Sequence, residues 1–192
     1  PLPGVGVFLI EYYGQDGARN RSATASLQVG VDTAAPVTAY QVQGTQGQNG
    51  WYTSPLTVKL VPSDAVSGIK ATYYRLNTGP WQTGSQFQVT GDGYYTLAFY
   101  SIDAAGNVET SFPVQVQIDS AAPGAPTAVE SAPSGWSRTN RFTVQWANPT
   151  DLSGIAGVYY RLDGEPTGST DGTYSPLTNR LEGLTVPTEG VH

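Results

Sequence analysis

The stretch LQVGVDTAAP (27–36) returns as VQVQIDSAAP (114–123), a shift of 87 residues. In both copies, apolar residues alternate with polar or small ones before an aspartate and, four residues later, a proline. Alternation with a period of two predicts a β-strand with one buried face. The proline fixes φ and removes a backbone donor, so it predicts a separation between two modules. The pair therefore predicts tandem β modules joined at these boundaries.

Three further blocks recur in the same order, with small insertions or deletions. They are EYYGQDGARN (11–20) with AFYSIDAAGN (98–107), WYTSPLTVKL (51–60) with WSRTNRFTVQW (136–146), and SDAVSGIKATYYRL (63–76) with TDLSGIAGVYYRL (150–162). Ordered self-similarity of this kind indicates an internal repeat. It predicts three domains: the two C-terminal strands of one repeat (1–32), a complete repeat (33–119), and the N-terminal part of another that lacks its last two strands (120–192).

Composition predicts an all-β chain. Its 192 residues include 23 Gly and 14 Pro, only 12% are charged, and no stretch has the spacing of an amphipathic helix. A balance of 9 basic and 15 acidic residues argues against nucleic-acid binding, which needs a basic face. No apolar run is long enough for a membrane span. The absence of cysteine fits an extracellular protein without disulfides, although many cytosolic chains also lack cysteine.

The complete repeat contains six or seven short alternating segments. On one of them, Leu56, Val58 and Leu60 are expected to point inward and Lys59 outward. Short strands separated by turn residues predict antiparallel immunoglobulin-like β-sandwiches in tandem, one complete and two partial.

Five motifs in the complete repeat carry a family resemblance: NGWYTS, DAVSG, YYRL, GDGYYTL and DAAGNVE, in that order. They resemble the bacterial immunoglobulin-like tandem repeats of large secreted and cell-surface proteins, which include accessory domains of secreted glycosidases. The resemblance implies an extracellular, cell-surface sandwich module without catalytic residues or a cofactor. Because such repeats serve many roles, it does not by itself assign a function.

The sequence offers little for catalysis. The single histidine is His192, and no cysteine is present to pair with it. Asp64, Asp103 and Asp151 lie in turn contexts, where aspartate caps its own backbone. The turn role is favoured over a glycosidase pair. They are also weak candidates for a Ca²⁺ site, because the dense ligand spacing of a dedicated calcium loop is missing. We therefore expect no enzyme.

Aromatic residues are the candidate ligand-binding groups. Trp51, Trp81 and Trp136 could stack on sugars or anchor a protein partner. The alternative, which we favour, is that they pack in cross-strand pairs or close the ends of the sandwich. The segment 163–184, which lengthens the last repeat after YYRL, is either a recognition loop or a tolerated surface insertion.

The partial repeats predict an interface. The first partial repeat has only two strands, roughly 7–14 and 25–31, and the last has only its opening strands. Both should therefore leave apolar side chains without partners. The expected interface residues are Val7, Phe8, Leu9, Ile10, Tyr12, Leu27, Val29, Val31, Phe142, Val144, Trp146 and Tyr160.

The two ends of the chain fall at the same point of the repeat, because VPTEGVH (186–192) aligns with LPGVGVF (2–8). Three explanations stay open: an excerpt of a longer array, cleavage of the same loop in each repeat, or chains that complete each other's sandwiches head to tail. We expect a non-enzymatic structural module whose partners are copies of itself or neighbouring repeats. The alternative is a carbohydrate-binding or spacer segment of a secreted glycosidase or adhesin.

Overall fold

A computed structural model describes residues 4–168, 170–176 and 179–188. The aligned segments 2–8 and 186–192 therefore lie partly outside the described residues, and so does His192. The described strands are β1 (Gly6–Tyr12), β2 (Ala25–Val31), β3 (Val37–Gln43), β4 (Trp51–Tyr52), β5 (Leu56–Ser63), β6 (Ile69–Leu76), β7 (Gln82–Thr83), β8 (Gln86–Val89), β9 (Gly93–Asp103), β10 (Phe112–Ile118), β11 (Thr127–Ala132), β12 (Phe142–Ala147), β13 (Val158–Tyr160), β14 (Thr173–Ser175) and β15 (Arg180–Leu184). The all-β prediction is confirmed. Within the described ranges, no helical segment has the length and hydropathy of a membrane span.

The chain forms two compact units that divide between Ser120 and Ala121. The first unit contains the β1–β2 hairpin and a two-sheet module built from β3 to β10. One sheet has the order β3-β5-β8 and the other β4-β10-β9-β6-β7. All pairs are antiparallel except β4 with β10, which run parallel.

The core of the module lies between these two sheets. Leu56, Val58 and Leu60 are buried and Lys59 is exposed, as their alternation predicted. From the facing sheet the core receives Leu97, Phe99, Val116 and Ile118. Burial of these aliphatic and aromatic side chains is the main source of the module's stability.

A polar network is buried at one end of this core. The Ser101 hydroxyl lies 2.8 Å from the Thr38 hydroxyl and 2.9 Å from the Thr72 hydroxyl. The Glu109 carboxylate accepts bonds from the Thr38 N–H and hydroxyl and from the Ser101 N–H, at 2.6–3.0 Å. Because every member has a partner, the network ties β3, β6 and β9 together without an unsatisfied polar group.

The β1–β2 hairpin reproduces the β9–β10 hairpin in register. Its seven pairs run from Gly6 opposite Val31 to Tyr12 opposite Ala25. A shift of 87 residues turns these into the pairs from Gly93 opposite Ile118 to Phe99 opposite Phe112, which are the pairs found in the module. The first strand ends at Tyr12, two residues earlier than the sequence suggested. The sequence repeat is therefore also a repeat of strand pairing.

The second unit reproduces the other strands of the module. Its sheet has the order β11-β12-β15, and Val144 on β12 lies opposite Leu181 as Val58 on β5 lies opposite Phe87. The β13–β14 pair corresponds to β6–β7. Among the described residues this unit has no counterpart of β4, β9 or β10.

The segment 163–184 is not simply an inserted loop, because it contains β14 and β15, the counterparts of β7 and β8. The main extra length lies in residues 161–172, between the paired residues Tyr160 and Thr173. The corresponding stretch between Tyr74 and Gln82 is the shorter 75–81, which begins with the last two residues of β6.

Turn geometry follows the repeat as well. Asn77 and Asp163, which each follow a YYRL motif, have φ of 52° and 58°. Arg19 has φ of 72°, and its counterpart Gly106 has φ of 96°. The left-handed region is costly for a side chain with a Cβ and free for glycine, so the first hairpin loop keeps the conformation of the module loop at a greater cost.

Candidate functional site

The β1–β2 hairpin carries an apolar face that the described residues leave uncovered. Directly opposed residues share a face, so Phe8 and Val29 lie beside Ile10 and Leu27. Ile10 is 40% exposed and Leu27 is 56% exposed. We call this the hairpin face; it comprises Phe8, Ile10, Tyr12, Leu27, Val29 and Val31.

Four of the six matching positions in the module are buried, and the other two, Tyr95 and Val114, are half-buried against the core. Leu97, which corresponds to Ile10, has no exposed surface, and Phe99, which corresponds to Tyr12, is 6% exposed. Tyr12 itself is 58% exposed. The same strand pair thus supplies core residues in one place and, in the other, apolar residues that are exposed or only half-buried.

The opposite side of the hairpin is also partly apolar. Val7 is 62% exposed and Leu9 is 63% exposed, while Glu11 is the charged residue of this side. In the module the corresponding positions are Tyr94, Thr96 and Ala98. Val7 and Leu9 were predicted to lie in the interface, and the strand pairing places them on this outer side rather than on the hairpin face.

The second unit has an apolar face of its own. Phe142, Val144 and Trp146 on β12 correspond to the fully buried residues of β5, yet all three are only half-buried. Tyr160 on β13 is also half-buried. Leu181 is the one hydrophobic side chain that is buried in the described part of this unit. We call the four half-buried residues of β12 and β13, which are Phe142, Val144, Trp146 and Tyr160, the open face.

A cluster of three carboxylates lies at one end of the module. Oxygens of Asp32, Asp64 and Asp103 all lie within 4.8 Å of one another. Two of these, Asp64 and Asp103, are the weak calcium candidates of the sequence, and Asp32 was missed. Its signal was available, because Asp32 recurs at the next boundary as Asp119.

The carboxylates of the cluster are engaged by backbone donors. Asp64 Oδ1 accepts three N–H groups, from residues 66 to 68, at 2.8–3.1 Å. Asp103 Oδ1 accepts the Gly106 and Asn107 N–H groups at 2.7 and 2.8 Å. Asp32 accepts the Ser67 N–H at 3.0 Å and so joins the boundary to the module. These are turn-capping bonds, and carboxylate oxygens are also the ligand type that Ca²⁺ uses.

Hydrogen bonds keep two carboxylates of the cluster acidic. Burial raises the pKa of Asp103, but bonds from Asn107 and Gly106 outweigh it, so the pKa lies below 3.8. The neighbouring charge of Asp32 acts in the raising direction on Asp103. The pKa of Asp32 is lowered mainly by its bond with the Ser67 side chain. Both groups are therefore anionic at neutral pH.

The other copies of these aspartates lie in separate places. Asp151 lies in the second unit, where it accepts bonds from the N–H and hydroxyl of Ser153. Asp16, the counterpart of Asp103, accepts the N–H and side-chain amide of Asn20, both at 2.8 Å. The bond from the Asn20 side chain is the main cause that lowers the pKa of Asp16. The two bonds between the aspartate and the asparagine of the DxxxN loop are thus the same in both hairpins.

The tryptophans differ in environment. Trp81 is 38% exposed, its ring meets Tyr100 edge-on at 4.8 Å, and the Arg75 guanidinium lies 4.6 Å from its centroid. Tyr100 also stacks on Tyr73 at 5.1 Å. Trp51 is half-buried and contacts Tyr94. Trp136, in the second unit, is 84% exposed.

No family model and no curated protein matches this chain. The internal repeat itself therefore shows what each apolar face corresponds to in the complete module. By that comparison, the hairpin face corresponds to one half of a module core and the open face to the other half.

Proposed function

We propose that this chain is a non-enzymatic structural segment of a prokaryotic surface protein, built from tandem immunoglobulin-like sandwiches. Its role is mechanical: it spaces and links parts of an extracellular assembly. The observation that carries the proposal is that β1 pairs with β2 in the same register as β9 pairs with β10, at a shift of 87 residues. Repetition of one unit along a chain is typical of proteins whose function is length and connection.

The chemistry of the described residues is consistent with this role. The three carboxylates that come together all accept N–H groups: Asp64 and Asp103 from their own loops, and Asp32 from Ser67 in the Asp64 turn. A glycosidase acid requires a raised pKa, whereas the pKa of Asp32 and of Asp103 is lowered. These carboxylates thus have the character of turn caps.

Single-molecule force spectroscopy tests the mechanical role. A chain held at its two ends should show one cooperative unfolding event of the module, with a contour-length gain on the order of 300 Å for about 87 residues. Gradual extension at low force, without a discrete event, would contradict a load-carrying module. Labelling of intact producing cells with an antibody against the chain tests the surface location, and labelling only after lysis would contradict it.

A second candidate is carbohydrate binding, favoured by the exposed Trp81 with Tyr100, Tyr73 and Arg75 around it. Aromatic faces and a nearby guanidinium are typical of sugar contacts. A glycan array would support this candidate if binding is lost in Trp81→Ala and kept in Val61→Ala, a matched change of another exposed apolar residue. The absence of any glycan signal would contradict this candidate and leave the structural role as the remaining one.

A further inference from the structure

We propose that the outer side of the five-stranded sheet binds a linear, neutral polysaccharide that lies along β9, with an aromatic cluster at each end of the site. The inference rests on the second candidate function above, which concerns only the cluster around Trp81. It adds a second cluster, the polar groups between the two, and the class of ligand. We call this surface the β9 face; it consists of the outward residues of β9 and the side chains beside them.

Alternation along β9 defines the face. Successive residues of a strand point to opposite sides of the sheet. Because Leu97 and Phe99 are core residues, the even-numbered residues from 94 to 100 lie on the outward side. These residues are Tyr94, Thr96, Ala98 and Tyr100. The two tyrosines are six positions apart, which is about 20 Å along the strand, the length of roughly four sugar units.

Each end of the β9 face offers an aromatic ring to a ligand. At one end Tyr94 is 63% exposed, and its ring meets Trp51 edge-on at 5.1 Å. At the other end Trp81 is 38% exposed and meets Tyr100 edge-on at 4.8 Å. Aromatic rings combine a large apolar surface with a defined orientation, which suits them to the C–H side of a sugar ring. The two ends thus form two stacking positions on one strand.

Polar side chains lie between the two ends. Thr96 is opposite Gln115, and a cavity of about 330 Å³ is lined in part by these two residues and Gln117. Its volume lies within the range of ligand pockets, about 300–1,000 Å³. Ala98 is only 8% exposed, so the longer Arg75, which lies opposite it, supplies the surface there. Hydroxyl, carboxamide and guanidinium groups are the hydrogen-bonding partners that sugar hydroxyls need.

The charge of the face favours a neutral ligand. Of the side chains assigned to the β9 face, Arg75 is the only charged one. Its guanidinium lies 4.6 Å from the centroid of Trp81 and forms no ion pair with any described residue. The whole chain has a formal net charge of −6, which repels polyanions. An uncharged polysaccharide therefore fits this surface better than an acidic one.

Strand pairing does not require these side chains. The β1–β2 hairpin has the register of β9–β10, but its outward residues differ. Val7 stands at the position of Tyr94. Leu9 stands at the position of Thr96. Because the same pairing forms without the aromatic ring and without the hydroxyl, ligand binding accounts for these groups where pairing does not.

A glycan array followed by calorimetric titration tests the site. The array holds neutral and acidic linear polysaccharides, and oligosaccharides of the polymer that binds are then titrated into the chain. Affinity should rise about tenfold or more between two and four sugar units and little beyond, because only the longer ligands reach both ends. Tyr94→Ala and Trp81→Ala should each lower the affinity for the longest oligosaccharide about tenfold.

Two variants serve as controls. Tyr94→Phe keeps the ring, so its affinity should stay close to that of the unchanged chain. Tyr12→Ala removes a tyrosine that is 58% exposed on the other side of the hairpin and should have no effect. Circular dichroism checks that each variant is folded. Because Tyr94 is largely exposed, its substitution tests the site even if Trp81→Ala fails to fold.

Each outcome decides the proposal. Loss of affinity in Tyr94→Ala, together with the rise in affinity with ligand length, supports it. Binding that is lost in Trp81→Ala but unchanged in Tyr94→Ala overturns it and leaves the smaller carbohydrate site standing. Binding of acidic polysaccharides alone also overturns it. No glycan signal overturns both carbohydrate hypotheses, and an intact force-unfolding event would then leave the structural role standing.

Discussion

Matched alanine substitutions at one repeat position separate a buried core residue from an uncovered one. Leu97 lies in the module without exposed surface, and Ile10 lies at the same position of the hairpin with 40% exposure. Both side chains have the same number of carbon atoms, so Leu97→Ala and Ile10→Ala remove the same amount of hydrocarbon. The difference between their effects reports what covers each side chain.

The two costs follow from burial. Leu97→Ala leaves a cavity in a packed core and should lower the free energy of unfolding by about 2–5 kcal/mol. Full burial of such a side chain contributes about 1.5–3 kcal/mol, and the partly exposed Ile10 contributes only part of this. Its truncation also leaves no enclosed cavity. Ile10→Ala should therefore cost about 1 kcal/mol or less in dilute solution.

Urea unfolding followed by circular dichroism measures the loss of stability in both variants. A loss of stability in Ile10→Ala as large as that in Leu97→Ala would refute the reasoning, because it would require a closed core around Ile10. The slope of the unfolding transition serves as the control, since an unchanged slope shows that the extent of unfolding is the same.

Three further changes have defined outcomes. Arg19→Gly relieves the left-handed conformation that Gly106 adopts freely, so the melting temperature should rise, with a gain of about 1 kcal/mol; an unchanged or lower value would contradict this. Glu109→Gln removes the charge from the buried hydroxyl network and should cost about 1–3 kcal/mol in urea unfolding, whereas Glu11→Gln on the exposed hairpin should cost almost nothing. Because the pKa of Asp103 is lowered in the folded chain, its contribution to stability is full above pH 3.8 and disappears as the pH falls through the folded pKa. In Asp103→Asn the loss of stability on acidification should be shallower than in the unchanged chain, and an identical acid profile would contradict that contribution.

Alternation and repetition made the strands and the core predictable. The side chains of Leu56, Val58 and Leu60 were assigned inward because a strand has a period of two, and they are buried. The short strand β4 was missed, because two residues are too few to show a period. Its pairing with β10 depends on a partner more than 60 residues away.

The carboxylate cluster and the polar network were only partly predictable, because they depend on long-range contacts. Asp32 joins the cluster through a bond to Ser67, which belongs to another turn. Glu109 reaches Thr38 across 71 positions, and the counterpart of Glu109 in the first hairpin is Ser22, so the repeat gives no signal for it. Ser22 Oγ nevertheless accepts the Gly14 N–H, as Glu109 accepts the Ser101 N–H. The bond is retained although the residue differs.

The central claim is that one repeated strand pair lies in a packed core as β9–β10 and on largely uncovered surface as β1–β2. Native-state hydrogen exchange of the chain, followed residue by residue, tests it most directly. We expect the amides that pair β9 with β10 to exchange much more slowly than the amides at the matching positions of β1 and β2. Equal protection of the two hairpins would contradict the claim.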